Sequence, residues 1–334
     1  MQSQQYGEIM ALLKGYQSAM ILTAACELDL FSAISAAPTA PTAAELAKLL
    51  NADERAVDTL LSALTAMQFL EKTDGTFRVA PEYEAVLDSR SQTSVVPMVR
   101  HSASCARGWA QLAWAVKSGS PVPVICGLEG PNGDTRAFIQ AMNSIAGQVV
   151  EPLCDQLTAA GCLDFSNMLD LGGASGTYAR AFLTRNRNAK ATIFDLPIAL
   201  DEARRLIQGT EFESRITLHQ GDFYQDPLPD GFDFVWISAI IHQQDEEATE
   251  AMFAKSRDAL VEGGRIAIRD IYINEERTGP QDAAFFGVNM LVRTERGRVY
   301  TVEEVVRLLE KTGFRNAKLA LAGRGMTSVI TAEK

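Results

Sequence analysis

The chain has 334 residues, of which 47% are hydrophobic and 22% charged, a composition typical of a globular protein long enough for two domains. Its 42 acidic and 31 basic residues give a formal net charge of -11. This balance disfavours nucleic acid and anionic membranes as partners, because both require clustered Lys and Arg. A small molecule or another protein is the expected partner.

The cysteines and the N-terminus bear on the compartment. The five cysteines are scattered, without a CxxC pair or a neighbouring histidine, which indicates neither a disulfide framework nor a metal site. The N-terminus lacks the basic segment of a signal peptide, and we expect no apolar run to reach the roughly 18 to 20 residues of a membrane span. The sequence therefore predicts a cytoplasmic protein without a membrane partner.

The N-terminal part of the chain, residues 1–100, reads mainly as helices. Thr42 and Glu45 form a capping box before "AAELAKLL", and "ADERAVDTLLSALTAMQFL" predicts a further helix. Two short β-type runs then flank Asp74-Gly75, which is a hairpin signal. Helix, turn, helix and hairpin in this order predict a winged-helix domain.

A winged helix commonly binds DNA, but the second helix here argues against that function. Its polar positions include Asp53, Glu54 and Asp58 against the single base Arg55, so it would repel phosphates. A DNA-binding regulator is therefore the least favoured function. A wide apolar stripe from Ile9 to Ile34 instead favours homodimer formation through this domain, with a helical cap on the second domain as the alternative.

The second part of the chain has a different pattern. Residues 101–165 are mostly helical around the break "GSPVPVICGLEGPNGD", and we expect them to link the domains and contribute to a substrate pocket. Over residues 166–334, strands and helices alternate from "NMLDLGG" to "TSVITAE". The alternation predicts an α/β protein with a doubly wound, Rossmann-like parallel sheet behind the mainly helical winged-helix domain.

The first strand-to-helix turn, "LDLGGASGTYARAF", is the expected cofactor site, because ligands bind outside the carboxyl ends of such strands. Gly172, Gly173 and Gly176 allow a sharp turn, and the helix that follows offers free N–H groups. The dinucleotide motif G-x-G-x-x-G is not matched, since Ala174 and Thr177 occupy its second and third glycine positions. NAD is therefore disfavoured, and a glycine turn without a ligand is the alternative.

Polar residues follow the next strands. Asp195 ends "ATIFD", where it can accept hydrogen bonds from ribose hydroxyls or cap the helix before Pro197. Asp222 and Phe223 offer an acceptor for an exocyclic amine and an apolar face for a purine ring. His242, in "SAIIHQQDEE", is either a general base or a residue that caps the next helix.

These segments resemble a known family. "LDLGGASG", "FDLP", "GDFYQDPLP", "IIHQQDEE", "GGRIAIRD" and "RGRVYTVEEVVRLLEKTGF" are similar in order and spacing to S-adenosylmethionine-dependent O-methyltransferases of the plant caffeate type and their bacterial natural-product relatives. The resemblance covers nearly the whole chain. It implies a winged-helix dimerisation domain, a class I methyltransferase domain that binds S-adenosyl-L-methionine, and methylation of a hydroxyl on a small aromatic or polyketide-like molecule in secondary metabolism.

The resemblance also implies roles for individual residues. It places His242 as the general base and Asp270 as the carboxylate that orients it. Cofactor contacts are implied at Gly172, Gly176, Asp195, Leu196, Asp222, Phe223 and Ser238. Contacts with the acceptor are implied at Met142, Asn143, Phe286, Asn289 and Met290.

The chain departs from the family pattern near the base and the cofactor. The usual "HDW" is "HQQ" at residues 242–244, Ser238 replaces a cofactor-contacting Lys, and Val299 replaces a second catalytic Glu. The missing carboxylate leaves open a relative that methylates carbon or nitrogen, or that catalyses a different reaction with the same cofactor. An unperturbed imidazole is about 3.5 pKa units less basic than a phenolate, and Asp270 would reduce that gap.

Overall fold

The computed structural model describes residues 2–334, which divide into two compact units. The first unit comprises the described residues up to Arg107 with Val124–Ser144, and the second is Gly108–Pro123 with Ile145–Lys334. The domain boundaries expected near residues 100 and 165 stay a prediction from the sequence.

The chain up to the end of α7 is mainly helical. Its elements are α1 (Gln2–Lys14), α2 (Tyr16–Glu27), α3 (Leu30–Ala36), α4 (Ala43–Leu50), α5 (Glu54–Ala66), β1 (Leu70–Thr73), β2 (Thr76–Val79), α6 (Glu84–Leu87) and α7 (Val96–Trp109). Strands β1 and β2 pair antiparallel, and Asp74 and Gly75 between them both have positive φ, as a tight hairpin turn requires. The capping box of Thr42 and Glu45 starts α4. The sequence of helix, helix and hairpin is therefore present.

The predicted apolar stripe divides into two parts. Its C-terminal half, with Leu30, Phe31 and Ile34, is buried in the core of the first unit. Its N-terminal half is exposed in the single chain, with Leu12 81% exposed. The stretch Gln4–Glu27 is also long and apolar enough to cross a membrane by length and composition alone, so the expectation that no run reaches that length was wrong.

The remainder of the chain forms the α/β part. Its elements are α8 (Leu112–Ser118), α9 (Gly130–Ala159), β3 (Asn167–Leu171), α10 (Thr177–Arg185), β4 (Lys190–Asp195), α11 (Pro197–Ile207), β5 (Ile216–Gln220), β6 (Phe232–Ser238), a 3₁₀ turn (Ile241–Gln243), α12 (Glu246–Ala259), β7 (Leu260–Asp270), α13 (Gln281–Arg293), α14 (Val302–Lys311), β8 (Arg315–Leu321) and β9 (Ser328–Glu333).

The seven strands β3 to β9 form one sheet in the order β5-β4-β3-β6-β7-β9-β8. Strands β3 to β7 are parallel, whereas β9 pairs antiparallel with both β7 and β8. The antiparallel end was not part of the prediction. It arises because β8 and β9 are joined by a short connection, which permits only antiparallel pairing. Strand order reverses between β3 and β6, so the carboxyl ends of these two strands border the expected ligand crevice.

Both faces of the sheet are covered, which confirms the doubly wound arrangement. On one face Phe234 and Trp236 of β6 pack with Phe182 of α10. On the other face Val235 and Ile237 belong to the cluster that contains residues of α12 and α14. Because both sets of side chains of β6 are buried, polar residues are confined to the strand ends, where they line the crevice.

Candidate active site

The glycine turn after β3 has a backbone that only glycine adopts without strain. Gly172 has φ +70°, and a Cβ added to it would lie 2.6 Å from the Cδ1 atom of Ile240. Gly176, the N-cap of α10, has φ +71°, and its Cβ would lie 2.5 Å from the Cδ1 atom of Ile193. The Gly172 N–H donates to the Phe194 carbonyl at 2.9 Å, which ties the turn to β4.

A buried carboxylate lies directly beneath this turn. Asp170 of β3 is 1% exposed, and a Cβ on Gly173 would lie 2.5 Å from its carboxyl carbon. Burial, together with the charge of Asp195, raises the pKa of Asp170 to about 7, while a hydrogen bond from the Ala179 backbone opposes the shift. Within the described chain its Oδ2 atom has no hydrogen-bond partner. Sequence reasoning missed Asp170, although a carboxylate inside the apolar strand "NMLDL" was a signal.

Asp195 connects β4 to the glycine turn. Its Oδ2 atom accepts a hydrogen bond from the Ala174 N–H at 2.8 Å, and Oδ1 accepts one from the Leu196 N–H at 2.7 Å. The N-cap position of α11 is Leu196, so Asp195 is not the helix cap that was the alternative. Burial raises the pKa of Asp195, and the two backbone hydrogen bonds oppose that shift. Each carboxylate oxygen has a further lone pair that can accept from a ribose hydroxyl.

The loop after β5 brings an aromatic ring to the same place. The Phe223 Cε1 atom would lie 3.5 Å from a Cβ on Gly172, so these two predicted cofactor residues are neighbours. Asp222 accepts hydrogen bonds from the Tyr224 N–H and from the Gln225 side chain, both at 2.9 Å. The loop is therefore shaped by its own hydrogen bonds, with an aromatic face beside the glycine turn.

His242 and Asp270 form a buried pair at the carboxyl ends of β6 and β7. The Nδ1 atom of His242 lies 2.8 Å from the Oδ1 atom of Asp270, and their side chains are 8% and 1% exposed. The same oxygen accepts a hydrogen bond from the Ile271 N–H at 2.8 Å, which fixes the orientation of the carboxylate.

The alternative role of His242, as a helix cap, is not what the structure shows. Helix α12 is capped by Asp245, whose Oδ1 atom accepts a hydrogen bond from the Ala248 N–H at 3.0 Å. His242 instead belongs to the 3₁₀ turn before that helix. Its imidazole is thus committed to Asp270 through Nδ1.

Three of the predicted acceptor residues lie on α13. The Phe286 ring meets the imidazole of His242 edge-on, with 4.8 Å between centroids and 88° between planes. Asn289 accepts a hydrogen bond from the Trp109 indole N–H at 2.9 Å, and Met290 is buried. The other two predicted acceptor residues, Met142 and Asn143, lie on the part of α9 that belongs to the first unit. Their contact with an acceptor stays a prediction.

Val299, where the family has a second Glu, is 4% exposed in an apolar cluster with Ile271, Ile273 and Ala283. The described residues include no group of three or more His, Cys, Asp or Glu side chains arranged to hold a metal ion. Asp270 is therefore the carboxylate that contacts the imidazole of His242.

Ser238, at the end of β6, stands where the family has a lysine, and its side chain contacts an arginine. Its Oγ atom accepts a hydrogen bond from the Nη1 atom of Arg269 at 2.9 Å. Arg269 is only 5% exposed, and sequence reasoning missed it. The signal was again a charge inside an apolar strand, "IAIRDIYI".

The fold and the site together define a class of protein. A Rossmann-like sheet has, at its switch point, a glycine turn, carboxylates at successive strand ends and an aromatic face, which fit an adenosyl cofactor. A buried histidine–carboxylate pair lies beyond that turn. These features together fit the class of cofactor-dependent transferases.

Comparison with known proteins names the family. The family model of the O-methyltransferase domain matches residues 115–315, and that of the O-methyltransferase dimerisation domain matches residues 10–85. The chain therefore belongs to the O-methyltransferase family. It is an S-adenosylmethionine-dependent enzyme, and S-adenosyl-L-methionine is its methyl donor.

Similar proteins cover almost the entire chain. The tetracenomycin polyketide synthesis 8-O-methyl transferase TcmO of Streptomyces glaucescens is 30% identical, over 93% of this chain and 92% of its own length. The 3-hydroxy-5-methyl-1-naphthoate 3-O-methyltransferase of Streptomyces sahachiroi is also 30% identical, over 97% and 94%. The crystal structure of human N-acetylserotonin methyltransferase with SAM superposes with a TM-score of 0.80 at 26% identity, covering 99% of this chain and 98% of that one.

Proposed function

We propose that this enzyme methylates a hydroxyl of a small aromatic or polyketide-like molecule, with His242 as the general base. The observation that carries this proposal is the buried 2.8 Å hydrogen bond between His242 Nδ1 and Asp270 Oδ1. The names of the two Streptomyces relatives, which specify a polyketide pathway and a hydroxynaphthoate, support the acceptor class.

The pair works through the tautomer of the imidazole. Because Asp270 only accepts hydrogen bonds when ionised, Nδ1 carries the proton and Nε2 has a free lone pair. Nε2 can then take the proton of the acceptor hydroxyl, and Asp270 stabilises the imidazolium that results. This stabilisation offsets part of an uphill transfer of about 3.5 pKa units, or roughly 5 kcal/mol, between phenol and imidazole.

Apolar side chains around the base favour a flat aromatic acceptor. Phe286 contacts the imidazole edge-on and packs against the cluster of Ile271, Ile273 and Val299. An apolar wall excludes water and strengthens the electrostatic interaction between the imidazole and its carboxylate. S-adenosylmethionine, when bound, supplies an already activated methyl group, so the chain has to orient the nucleophile and remove its proton.

The test is the substitution His242→Ala. General-base catalysis contributes about 10² to 10⁴ in rate, so we expect kcat to fall by that factor while cofactor affinity stays nearly unchanged. His219→Ala is the matched control, because His219 is exposed on β5 and stacks on Phe194 rather than on a carboxylate. The reaction is measured on a panel of phenols by mass spectrometry, which detects the gain of one methyl group in the product.

One result would contradict the role of the histidine. If His242→Ala lowers kcat by less than about threefold between pH 6 and 9, with methyl transfer shown to be rate-limiting, the imidazole is not the base. The acceptor would then arrive already ionised, or the methylated atom would be carbon or nitrogen, as the apolar Val299 position leaves open.

We also propose that the cofactor is held by residues at the carboxyl edge of β3 to β6. The arrangement of the glycine turn, of Asp195 joined to it, and of Phe223 beside Gly172 supports this assignment. The residues are Gly172, Gly176, Asp195, Leu196, Asp222, Phe223 and Ser238. Three of the predicted acceptor residues, Phe286, Asn289 and Met290, lie on α13. The Phe286 ring contacts the imidazole of His242, which supports a place for this helix beside the acceptor.

We propose further that the enzyme is a homodimer through its N-terminal region. The matched dimerisation domain and the exposed apolar side chains of α1 and α2, Ile9, Leu12, Leu13 and Tyr16, support this. Light scattering of the double variant Leu12→Glu/Leu13→Glu should report a monomer. Leu49→Glu, at a 67% exposed position on α4, is the control and should leave the dimer intact. A dimer that survives the double substitution would remove α1 from the interface.

We infer that the enzyme works in the cytoplasm. Cys26, Cys105, Cys126, Cys154 and Cys162 form no disulfide in the described chain, and burial raises the pKa of the Cys26 thiol to about 12. Thiol titration of the denatured enzyme, isolated without a reducing agent, should find five reactive groups per chain. A smaller number would indicate disulfides and an oxidising compartment.

A further inference from the structure

Among the residues that the structure describes, Arg269 is a buried cation without a carboxylate partner. It is 5% exposed, its guanidinium carbon lies 5.2 Å from the ring centroid of Tyr178, and Nη1 donates to the Ser238 hydroxyl. Its Nε atom has no hydrogen-bond partner, and it takes part in no ion pair within the described residues. The neighbouring carboxylate of Asp270 acts to raise the pKa of Arg269, but that carboxylate is hydrogen-bonded to His242.

Such a group is costly in a folded protein. Desolvation lowers the pKa of Arg269, which is the expected response of a cation removed from water without full compensation. Buried charges are normally paired, so a ligand that supplies the opposite charge would remove this cost. Arg269 therefore points to an anion at this end of the sheet.

The register of the sheet places this cation next to the proposed cofactor residues. Ser238 and Arg269 are paired across β6 and β7, and Asp170 of β3 pairs with Trp236, two residues before Ser238. All three polar side chains therefore lie on one face of the sheet, at its carboxyl edge. Asp195 and Asp222, the proposed partners of the adenosine, lie on the opposite side of β3, at the ends of β4 and β5.

The chemical structure of the cofactor then identifies the anion. Its amino-acid end is attached on the side of the ribose away from the adenine, and it contains a carboxylate. We propose that Ser238 and Arg269 form the binding unit for the α-carboxylate of the cofactor, in which the Ser238 hydroxyl donates to the carboxylate and Arg269 supplies the positive charge behind it. This assignment rests on the proposed cofactor residues.

The experiment uses two cofactor-product ligands that differ only in the carboxylate. S-adenosylhomocysteine and its decarboxylated analogue, S-adenosyl-3-thiopropylamine, are titrated calorimetrically into the full-length enzyme. Charge-assisted hydrogen bonds contribute about 1.5 to 3 kcal/mol, so the wild type should prefer the carboxylate ligand about 10- to 150-fold. In Arg269→Met this preference should shrink to less than about threefold. In Ser238→Ala it should also fall clearly below that of the wild type.

The controls separate binding from structure. Arg265 lies on the same strand and the same face as Arg269, four residues earlier, and its guanidinium donates to the carbonyls of Gly161 and Asp164. The ligand preference should therefore persist in Arg265→Met. Arg269→Lys keeps the charge and should retain part of the preference, which keeps the test available if the methionine variant does not fold.

Three results would overturn the proposal. The wild type could bind both ligands equally, or the Arg269→Met variant could keep the full preference. The Arg269→Met variant could also lose affinity for both ligands by the same factor, which would mean that the arginine is purely structural. The ratio of the two affinities does not depend on proton removal by His242. Failure of the general-base proposal therefore changes kcat and leaves this ratio unchanged.

Discussion

The buried carboxylate beneath the glycine turn predicts a pH-dependent gain of stability on its removal. Asp170→Asn keeps the size and shape of the side chain and the acceptor for the Ala179 backbone, but it cannot ionise. In the wild type, burial and the charge of Asp195 raise the pKa of Asp170 from 3.8 to about 7. The folded enzyme without cofactor therefore carries an ionisation cost that the asparagine variant lacks.

The sign of the stability difference follows from the pKa of Asp170 in the unfolded chain, 3.8, and in the folded enzyme, about 7. Below about pH 3 the carboxyl is protonated in both the folded and the unfolded state, so the variant and the wild type should be equally stable. As the pH rises from 4 towards 7, the unfolded chain ionises and the folded one does not, so the wild type loses stability. Above pH 7 the loss is complete, at about 3 pKa units or on the order of 4 kcal/mol.

Thermal unfolding measures this difference. For a chain of 334 residues, about 4 kcal/mol corresponds to a change in Tm of about 6 °C. The Tm of Asp170→Asn minus that of the wild type, without cofactor, should therefore rise from near zero at about pH 3 to about 2 °C at pH 5 and about 6 °C at pH 8. Asp258→Asn, at a side chain that is 82% exposed, should show no such trend.

A difference in Tm that is the same at pH 5 and pH 8 would refute the reasoning, because Asp170 would then not titrate in this interval. A variant that is less stable at pH 8 would refute it as well, since the ionised carboxylate would have to be stabilising.

Three further predictions concern the cofactor site and its scaffold. Gly172→Ala places a Cβ 2.6 Å from Ile240 at a φ of +70°, so it should lower stability by about 1 to 3 kcal/mol in urea unfolding, and an unchanged midpoint would show that the turn adapts. Thr301→Ala removes the side-chain cap on the Glu304 N–H and should cost about 1 kcal/mol without a change in kcat. Asp195→Ala should weaken S-adenosylmethionine binding by about 1.5 to 3 kcal/mol in calorimetry, whereas unchanged affinity would place the ribose elsewhere.

The sequence by itself determined the features that depend on neighbouring residues. The capping box at Thr42, the hairpin at Asp74-Gly75 and the glycine turn at residues 172–176 are present where local patterns place them. Alternation of strands and helices was enough for the doubly wound sheet, because short-range propensity and periodicity decide these elements. Resemblance to the O-methyltransferases was then sufficient to predict the cofactor, S-adenosyl-L-methionine.

Only the tertiary structure decided how the polar side chains are paired. His242 and Asp270 are 28 residues apart in the chain, and their hydrogen bond exists because β6 and β7 end side by side. In the sequence, Asp170 and Arg269 are marked only as charges within apolar strands, a pattern that does not say what lies beside them. They become functional candidates because the sheet buries them on one face, where the low dielectric makes an unpaired charge costly. That cost depends on which strands are neighbours, and strand order is a long-range property that no local pattern contains.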